Sequence, residues 1–283
     1  MGHNIALVLK KHGLEVVTCL RGRSLRTQQQ ATQAGVVNLT SLREVVKASD
    51  LILSVVVPSA ALPVGRSLAK AIVSVKKPIL IADVNAISPM TSLSIDKAIT
   101  TAGGKYVDVC IIGSAQKLEK GATFYASGEY AEEFVALRDF GLHVQVLGNQ
   151  IGQASAFKMV YAGLTKGLSS LSVELLLTAC SLGLFDQIME RYRLSFPDIA
   201  EFMAQVLPDL PLRAARRSQE MEELSATIES VGLRPVMAQA SGEVLKRIGE
   251  LAQRSGWQEP DEGQPDLRDT IEKLYQGFKA PIK

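Results

Sequence analysis

Cysteine is scarce in this sequence. The three cysteines, Cys19, Cys110 and Cys180, each lie inside an apolar run. Such positions are typical of buried thiols in a reducing compartment, because disulfide-stabilised proteins are mostly exported. The pattern argues against a disulfide framework or a cysteine metal site, and we expect a cytoplasmic protein.

Histidine is equally rare. His3, His12 and His143 are scattered along the chain without the spacing of metal ligands. We therefore expect no metal site, and we expect the histidines to be ordinary hydrogen-bonded or surface residues.

The sequence also lacks an excess of charge and a long uninterrupted apolar run. Lysine and arginine total 31 against 29 acidic residues, with both signs mixed along the chain. Without a sustained basic face, nucleic acid and anionic membranes are poor candidate partners. The amino terminus does not resemble a signal peptide, and charges interrupt the apolar stretch 151–185. We expect a soluble protein that binds a small molecule.

Short β-branched runs alternate with helical patterns from Leu14 to Gly148. This alternation predicts a mostly parallel, doubly wound sheet of the Rossmann type, with helices on both faces. The run Leu51–Val57 is apolar throughout, as expected of a central strand buried on both sides. The predicted strands are 15–20, 36–39, 51–57, 79–85, 106–112, 123–126 and 143–147.

Beyond Gly148 the strand patterns stop and helical patterns take over. A chain of 283 residues with 47% hydrophobic residues can form two cores. We predict a nucleotide-binding domain over residues 1–148 and an all-α domain over residues 149–283. The predicted helices of the second domain are 151–184, 196–206, 212–231, 235–255 and 267–276.

The chain starts with a helical pattern, Gly2–Lys11, which Gly13 closes. In a doubly wound nucleotide-binding sheet, a central first strand and a glycine-rich turn precede the first helix. Met1-Gly2 is similar to the end of such a turn, with Gly2 as its third glycine. We therefore expect the first strand to be missing, so that the chain starts inside the motif. The alternative is a native first helix and an unusual sheet.

Arginines follow the first predicted strand, in the segment Arg21-Gly22-Arg23-Ser24. An acidic residue at this position would hold the ribose 2′-hydroxyl of NAD, whereas a guanidinium can pair with the 2′-phosphate of NADP. We predict that Arg21, Arg23 and Ser24 bind NADP, with NAD as the second choice. The alternative is a solvated basic loop.

Further candidates lie after other strands, at the edge where ligands gather in such sheets. Val57 and Pro58 are predicted to contact the cofactor. Asn85 could offer its amide to cofactor or substrate, or serve as a turn or helix-capping residue before the next helix. Gly113 and Ser114 could let a substrate approach the backbone, or form a plain loop.

Lys158 is the candidate for proton transfer. It lies among Ala, Phe, Met and Val early in the first helix of the second domain, where burial disfavours a charged ammonium. A lysine in such surroundings can exchange a proton with a substrate hydroxyl. Tyr161 shares its helix face and could hydrogen-bond to substrate. The alternative is a lysine that extends to water or forms a structural pair.

Together these features resemble the β-hydroxyacid dehydrogenase and 6-phosphogluconate dehydrogenase superfamily, in its branch with a phosphogluconate-dehydrogenase-like carboxy-terminal domain. The resemblance covers almost the whole chain. The motifs that carry it, in the family's order, are Met1–Asn4, Gly22–Ser24, Asp83–Pro89, Tyr106–Gly113, Gly152–Lys158 and Arg216–Met221.

The resemblance implies that Lys158 is the general acid/base, that Asn85 and Gly113 lie near nicotinamide and substrate, and that Gly2 and Arg23 bind the dinucleotide. Some positions depart from the family pattern. Asn149 and Ala154 replace glycines, Ala162 replaces an asparagine, and Ile112 replaces a serine. These departures argue against a phosphogluconate or hydroxyisobutyrate substrate.

The resulting expectation is an NAD(P)-dependent oxidoreductase that acts on a hydroxyl or carbonyl carbon of a small hydroxy acid or related compound. The helical domain is expected to form a homodimer. One alternative is an imine reductase-like enzyme, although related imine reductases commonly carry another residue at the lysine position. Another is a truncated chain that dimerises but binds cofactor poorly.

Overall fold

The computed structural model describes residues 1–114, 117–258 and 266–279. The chain divides into two compact units, Met1–Val160 and Tyr161–Lys283. The division lies inside one long helix, Gln153–Ser181 (α8), so the first turns of that helix belong to the first unit.

The first unit alternates strands and helices, as the sequence predicts. Its strands are Val17–Thr18 (β1), Val37–Asn38 (β2), Leu51–Ser54 (β3), Leu80–Asp83 (β4), Lys105–Gly113 (β5), Ala122–Ser127 (β6) and His143–Gly148 (β7). Its helices are Gly2–Lys11 (α1), Leu25–Gln33 (α2), Leu42–Ala48 (α3), Pro58–Val75 (α4), Pro89–Thr101 (α5), Leu118–Gly121 (α6) and Ala131–Val135 (α7), and a 3₁₀ turn spans Ala136–Phe140.

In the described part of the chain, the strands form two sheets. β1 and β2 pair in parallel, and the other five follow the order β3-β4-β5-β6-β7. Every neighbouring pair of the larger sheet is parallel except β5 and β6, which run antiparallel. The predicted mostly parallel α/β sheet followed by a helical region is confirmed.

Helices cover both faces of the larger sheet, and the alternation of side chains along its strands explains how. In β4, Leu80 and Ala82 face one apolar core, which α1 and α7 complete. Ile81 faces the opposite core, which α3, α4 and α5 complete. Because successive side chains of a strand point to opposite faces, a strand buried on both sides must be apolar throughout.

The expectation that residues 51–57 form a central strand is wrong. β3 ends at Ser54, and it lies at the edge of the five-stranded sheet. Leu51 and Leu53 are only partly buried, although they pack against the core that contains Ile5 and Leu9 of α1. The run is apolar because helices cover β3. Within the described residues, β3 forms backbone hydrogen bonds with one neighbouring strand, β4.

The predicted first helix is present as α1, and Gly13 follows it with a φ of 89°. This backbone conformation favours glycine, and it lets the chain turn towards β1. The expectation of a strand and glycine-rich turn before Met1 concerns residues outside this sequence and stays a prediction.

Helices make up the second unit. They are the remainder of α8, Phe185–Ser195 (α9), Pro197–Val206 (α10), Leu210–Ser230 (α11), Val236–Arg254 (α12) and Leu267–Lys279 (α13). The sequence analysis did not predict α9, which buries only Phe185 and Met189 and therefore has a weak apolar pattern. Among the described helices, none has the length and apolar composition that a membrane-spanning segment needs.

Candidate active site

The amino terminus of α1 lies beside the end of β3. A Cβ built on Gly2 would come within 3.8 Å of the Val55 side chain, an ordinary packing distance. The first amides of α1 that bond within the helix are those of Asn4 and Ile5, which donate to the Met1 carbonyl. The amides of Gly2 and His3 therefore precede the hydrogen-bonded turn, as expected of a helix start that can receive an anion.

Two further predicted cofactor residues form the start of the neighbouring helix. Val57 is the residue before α4 and is partly exposed, and Pro58 is buried at the first helical position. Proline suits this position because its fixed φ is helical and it has no amide hydrogen to leave unbonded. Gly2 lies beside Val55, and Val57 and Pro58 follow Val55 closely in the chain, so all three residues are near the carboxyl end of β3.

Asn85 is almost fully buried, with 3% of its surface exposed, and it links the ends of β3 and β4. Its Oδ1 accepts from the amide of Val56 at 2.6 Å. Its Nδ2 donates to Asp83 Oδ2 at 3.0 Å and to Ser54 Oγ at 3.1 Å. Both amide hydrogens therefore have protein acceptors, and the structural alternative for this residue has direct support in these contacts.

Two buried carboxyl groups, which the sequence analysis did not single out, lie side by side in the sheet. Asp83 and Asp108 are paired across β4 and β5, and each is 1% exposed. The pKa of Asp83 is raised to about 7, mainly by burial and also by the neighbouring charge of Asp108, while hydrogen bonds from Asn85 and Ser54 act in the opposite direction. Burial also raises the pKa of Asp108, whereas hydrogen bonds from serine hydroxyls lower it.

Lys158 is half-buried in the part of α8 that belongs to the first unit. Its Nζ donates a hydrogen bond of 2.6 Å to the carbonyl oxygen of Ile111 on β5. The ammonium therefore lies beyond the point where β4 ends, because the pairing of β4 with β5 stops at Asp108. Burial raises the pKa of the nearby Cys110 thiol to about 12, so this cysteine is not a nucleophile at neutral pH.

Gly113 is the last residue of β5 and pairs with Ala122 on β6. Its φ is 126°, and an added Cβ would collide with the backbone of Gly121 and Ala122. A glycine is thus required here for strand pairing, whatever part the residue has in substrate binding. Ser114 follows it directly, and its carbonyl oxygen accepts from the amide of Lys117 at 3.1 Å.

The basic turn after β1 is exposed. Arg21 and Arg23 both present their side chains to solvent, and Gly22 between them has a φ of 73°. Ser24 caps α2, with its Oγ accepting from the amide of Thr27 at 3.3 Å. The two guanidinium groups are accessible to an anionic ligand, while the hydroxyl of Ser24 has a structural role.

Tyr161 lies in the second unit, three residues after Lys158, and its side chain is exposed. The same unit contains a buried ion pair between Lys166 on α8 and Glu220 on α11, at 2.6 Å. Sequence reasoning missed this pair, because the two residues are far apart in the chain and no local pattern connects them.

Comparison with known proteins identifies the family. Residues 1–140 match the NAD binding domain of 6-phosphogluconate dehydrogenase, and residues 179–248 match a domain of unknown function, DUF1932. An uncharacterised 28.5 kDa protein of Methanothermus fervidus is 32% identical over 244 residues, which cover 85% of this chain and 92% of that protein. The chain belongs to the 6-phosphogluconate dehydrogenase-like superfamily of β-hydroxyacid dehydrogenases.

Solved structures agree with this membership. A conserved protein of unknown function, described as structurally similar to 3-hydroxyacid dehydrogenases, is 32% identical with a TM-score of 0.65, over 90% of this chain and 95% of that one. The 3-hydroxyisobutyrate dehydrogenase of Salmonella typhimurium shares the fold, with 16% identity, a TM-score of 0.68, and coverage of 96% and 95%. As a member of the superfamily, the protein is an NAD(P)-dependent oxidoreductase.

Proposed function

We propose that this oxidoreductase uses NADP to oxidise or reduce the hydroxyl or carbonyl carbon of a small hydroxy acid or related compound, with Lys158 as its general acid/base. The observation that carries the proposal is the ammonium of Lys158, held on the Ile111 carbonyl just beyond the end of β4. In open α/β sheets, ligands bind outside the carboxyl ends of the strands, and this rule supports a role for the amine beside a bound substrate.

The chemistry requires a proton carrier beside the reacting oxygen. NADP, when bound, supplies the hydride acceptor for oxidation and the hydride donor for reduction. The neutral amine of Lys158 takes the hydroxyl proton during oxidation and becomes an ammonium, and the ammonium returns a proton to the carbonyl oxygen during reduction. Both the amine and the ammonium have N–H donors, so the hydrogen bond to the Ile111 carbonyl can hold the group in either protonation state.

The described residues fit a dinucleotide. The helix start at Gly2 has no side chain between its amides and an approaching phosphate, and the adjacent Val55 leaves ordinary packing space. Arg21 and Arg23 are exposed in the turn after β1, where they would bind the 2′-phosphate.

The first test compares Lys158→Ala with Lys97→Ala. Lys97 is an exposed lysine of α5, and it controls for the loss of one positive charge. The substrate panel contains hydroxy acids and cyclic imines, and we expect the parent protein to turn over a hydroxy acid. The turnover rate should fall about 10²–10⁴-fold in Lys158→Ala and stay unchanged in Lys97→Ala. Unchanged turnover in Lys158→Ala refutes the role, and turnover of imines alone favours the imine reductase alternative.

The second test concerns the cofactor. We expect the double variant Arg21→Ala with Arg23→Ala to weaken NADPH binding about 10–100-fold and to leave NADH binding nearly unchanged, because only NADPH has the 2′-phosphate. Arg43→Ala is the control, since Arg43 is an exposed arginine of α3. Equal losses for both cofactors would refute the NADP assignment. If the unaltered chain binds neither cofactor in a calorimetric titration, the dimerising, cofactor-free alternative is favoured.

The helical unit is proposed to form a homodimer. Its part of α8 exposes a series of large apolar side chains at helical spacing, namely Tyr161, Leu164, Leu171, Leu175 and Leu182. A solvated helix face is normally polar, so a continuous apolar face indicates a partner, and we commit to a second copy of this chain. Sedimentation should show a dimer that Leu164→Glu dissociates, whereas Glu174→Lys, on the same helix, should leave it intact. A monomeric parent protein would refute the proposal.

A further inference from the structure

The helix that carries Lys158 has no capping side chain of its own. Gly152 precedes its first residue, Gln153, and has a φ of 96° that favours glycine. A helix start leaves several N–H groups without partners inside the helix, and a serine, threonine or aspartate usually accepts from them. Here the acceptors must come from another part of the chain.

The sheet provides these acceptors. Asp108 Oδ2 on β5 accepts from the amides of Gly152 at 3.0 Å and Ser155 at 2.9 Å. Its Oδ1 accepts from the hydroxyl of Ser155 at 2.6 Å. Ser127 Oγ on β6 accepts from the amide of Ala154 at 2.9 Å and donates to Asp108 Oδ2 at 3.3 Å. One buried carboxylate therefore fastens the first turn of α8 to β5.

The same strand also holds the lysine. Residues three apart share a helix face, so Ser155 and Lys158 both turn towards β5. Ser155 bonds to Asp108, and Lys158 Nζ bonds to the Ile111 carbonyl three residues further along that strand. A shift or rotation of the first turn of α8 would consequently carry the ammonium away from the Ile111 carbonyl.

We propose that Asp108 is the positioning residue of Lys158, because its carboxylate fixes the start of α8 on β5 and so sets where the ammonium lies. The proposal rests on the proposed role of Lys158 and adds a residue that the family resemblance does not assign. Asp108 is 1% exposed, so water cannot replace the carboxylate once it is removed, and the amides of Gly152 and Ser155 would lose their acceptor.

The test needs no substrate. Lys158 is labelled with a low dose of acetic anhydride at fixed pH, and its acetylation rate is measured by mass spectrometry against exposed Lys97 in the same sample. We expect Asp108→Ala, which removes every acceptor of this side chain, to raise the rate at Lys158 about ten-fold, since the start of α8 is released and the ammonium is no longer held on the carbonyl. The rate at Lys97 should not change.

Ser155→Ala is the milder variant, because it removes one bond to Asp108 and keeps both amide bonds. We expect about a two- to three-fold rise at Lys158. Ser169→Ala is the matched control, because Ser169 is a buried serine of the same helix. Among the described residues, its hydroxyl bonds only to the carbonyl of Thr165, which also lies in α8. Circular dichroism establishes that each variant is folded. If Asp108→Ala does not fold, Ser155→Ala decides, and an unchanged rate at Lys158 overturns the proposal.

Activity separates this proposal from the proposed function. With the hydroxy acid that the panel identifies, Asp108→Ala should lower kcat while KM changes little, and it should cause no further loss in a Lys158→Ala background. Full turnover in Lys158→Ala would refute the function of the lysine. A normal acetylation rate and a normal kcat in folded Asp108→Ala would refute only the positioning role.

Discussion

The buried carboxyl of Asp83 makes the stability of the first unit depend on pH. Asp83 lies at the end of β4 with 1% of its surface exposed, and its pKa is raised from 3.8 to about 7, mainly by burial. A raised pKa means that the folded protein binds this proton more tightly than the unfolded chain does. The resulting stabilisation is complete below about pH 4 and is lost as the pH rises through about 7.

The magnitude follows from the shift. A change from 3.8 to about 7, at 1.36 kcal/mol per pKa unit, corresponds to roughly 4 kcal/mol in the free energy of unfolding. Because small domains are stable by only about 5–15 kcal/mol, a change of this size is readily measured. Carboxyl groups with lowered pKa values, such as Glu44 and Glu119, act in the opposite direction, so the contribution of Asp83 must be isolated by substitution.

We expect Asp83→Asn to be less stable than the parent protein at low pH, because an amide cannot replace the acceptor that binds Asn85 Nδ2. The free energy of unfolding of the parent should decline by roughly 4 kcal/mol between pH 4 and 7, and that of Asp83→Asn should not show this decline. Urea unfolding across this range measures the difference, and ¹³C NMR of the aspartate carboxyls should show a signal titrating near pH 7 that the variant lacks. Asp139→Asn, at an exposed position, is the control. Parallel stability curves for Asp83→Asn and the parent would refute the reasoning.

Three further substitutions test the packing. Gly113→Ala should destabilise the protein by several kcal/mol, roughly 2–4, because the new Cβ collides with the Gly121 backbone, and a fall in the thermal midpoint measures the effect. Glu220→Gln should lower the free energy of unfolding in urea by about 3–5 kcal/mol, since it leaves the Lys166 ammonium buried without its charged partner. Replacing both residues by apolar ones should restore most of this stability. Phe124→Ala should cost about 3–5 kcal/mol, because the fully buried ring leaves a cavity; a loss below about 1 kcal/mol would contradict the packing described for the sheet.

The site residues divide by the kind of information that reveals them. Lys158 could be found from sequence, because a charged residue inside the apolar pattern of α8 is conspicuous against its neighbours. Asp83 and Asp108 could not be found in this way, although both occur in motifs that resemble the family. Their importance depends on desolvation, and a single carboxyl in a strand gives no sign of whether both faces of its sheet are covered.

Asn85 shows a second limit of prediction from the sequence. Its position after a strand correctly places it near the carboxyl end of the sheet, but the sequence leaves a ligand contact and a turn role equally open. The structure links its side chain to Val56 and Ser54, residues of a different strand end. Those contacts arise from the pairing of β3 with β4, which the local sequence does not specify.

The sequence by itself determined most of the helices, the strands, and the order in which these elements occur. Helical and strand periodicities act over a few residues, and they identified α8, α10, α11 and the strands β1 to β7. It missed α9, whose apolar pattern is weak, and it misjudged β3 as a central strand.

The tertiary structure alone decided which side chains meet. The contacts of Asp108 with Ser155 and of Lys158 with the Ile111 carbonyl each join residues 47 positions apart. They exist because strand pairing and the packing of α8 bring the two segments together. Burial then removes the competing water, and this turns a carboxylate, a hydroxyl and an ammonium into a fixed arrangement.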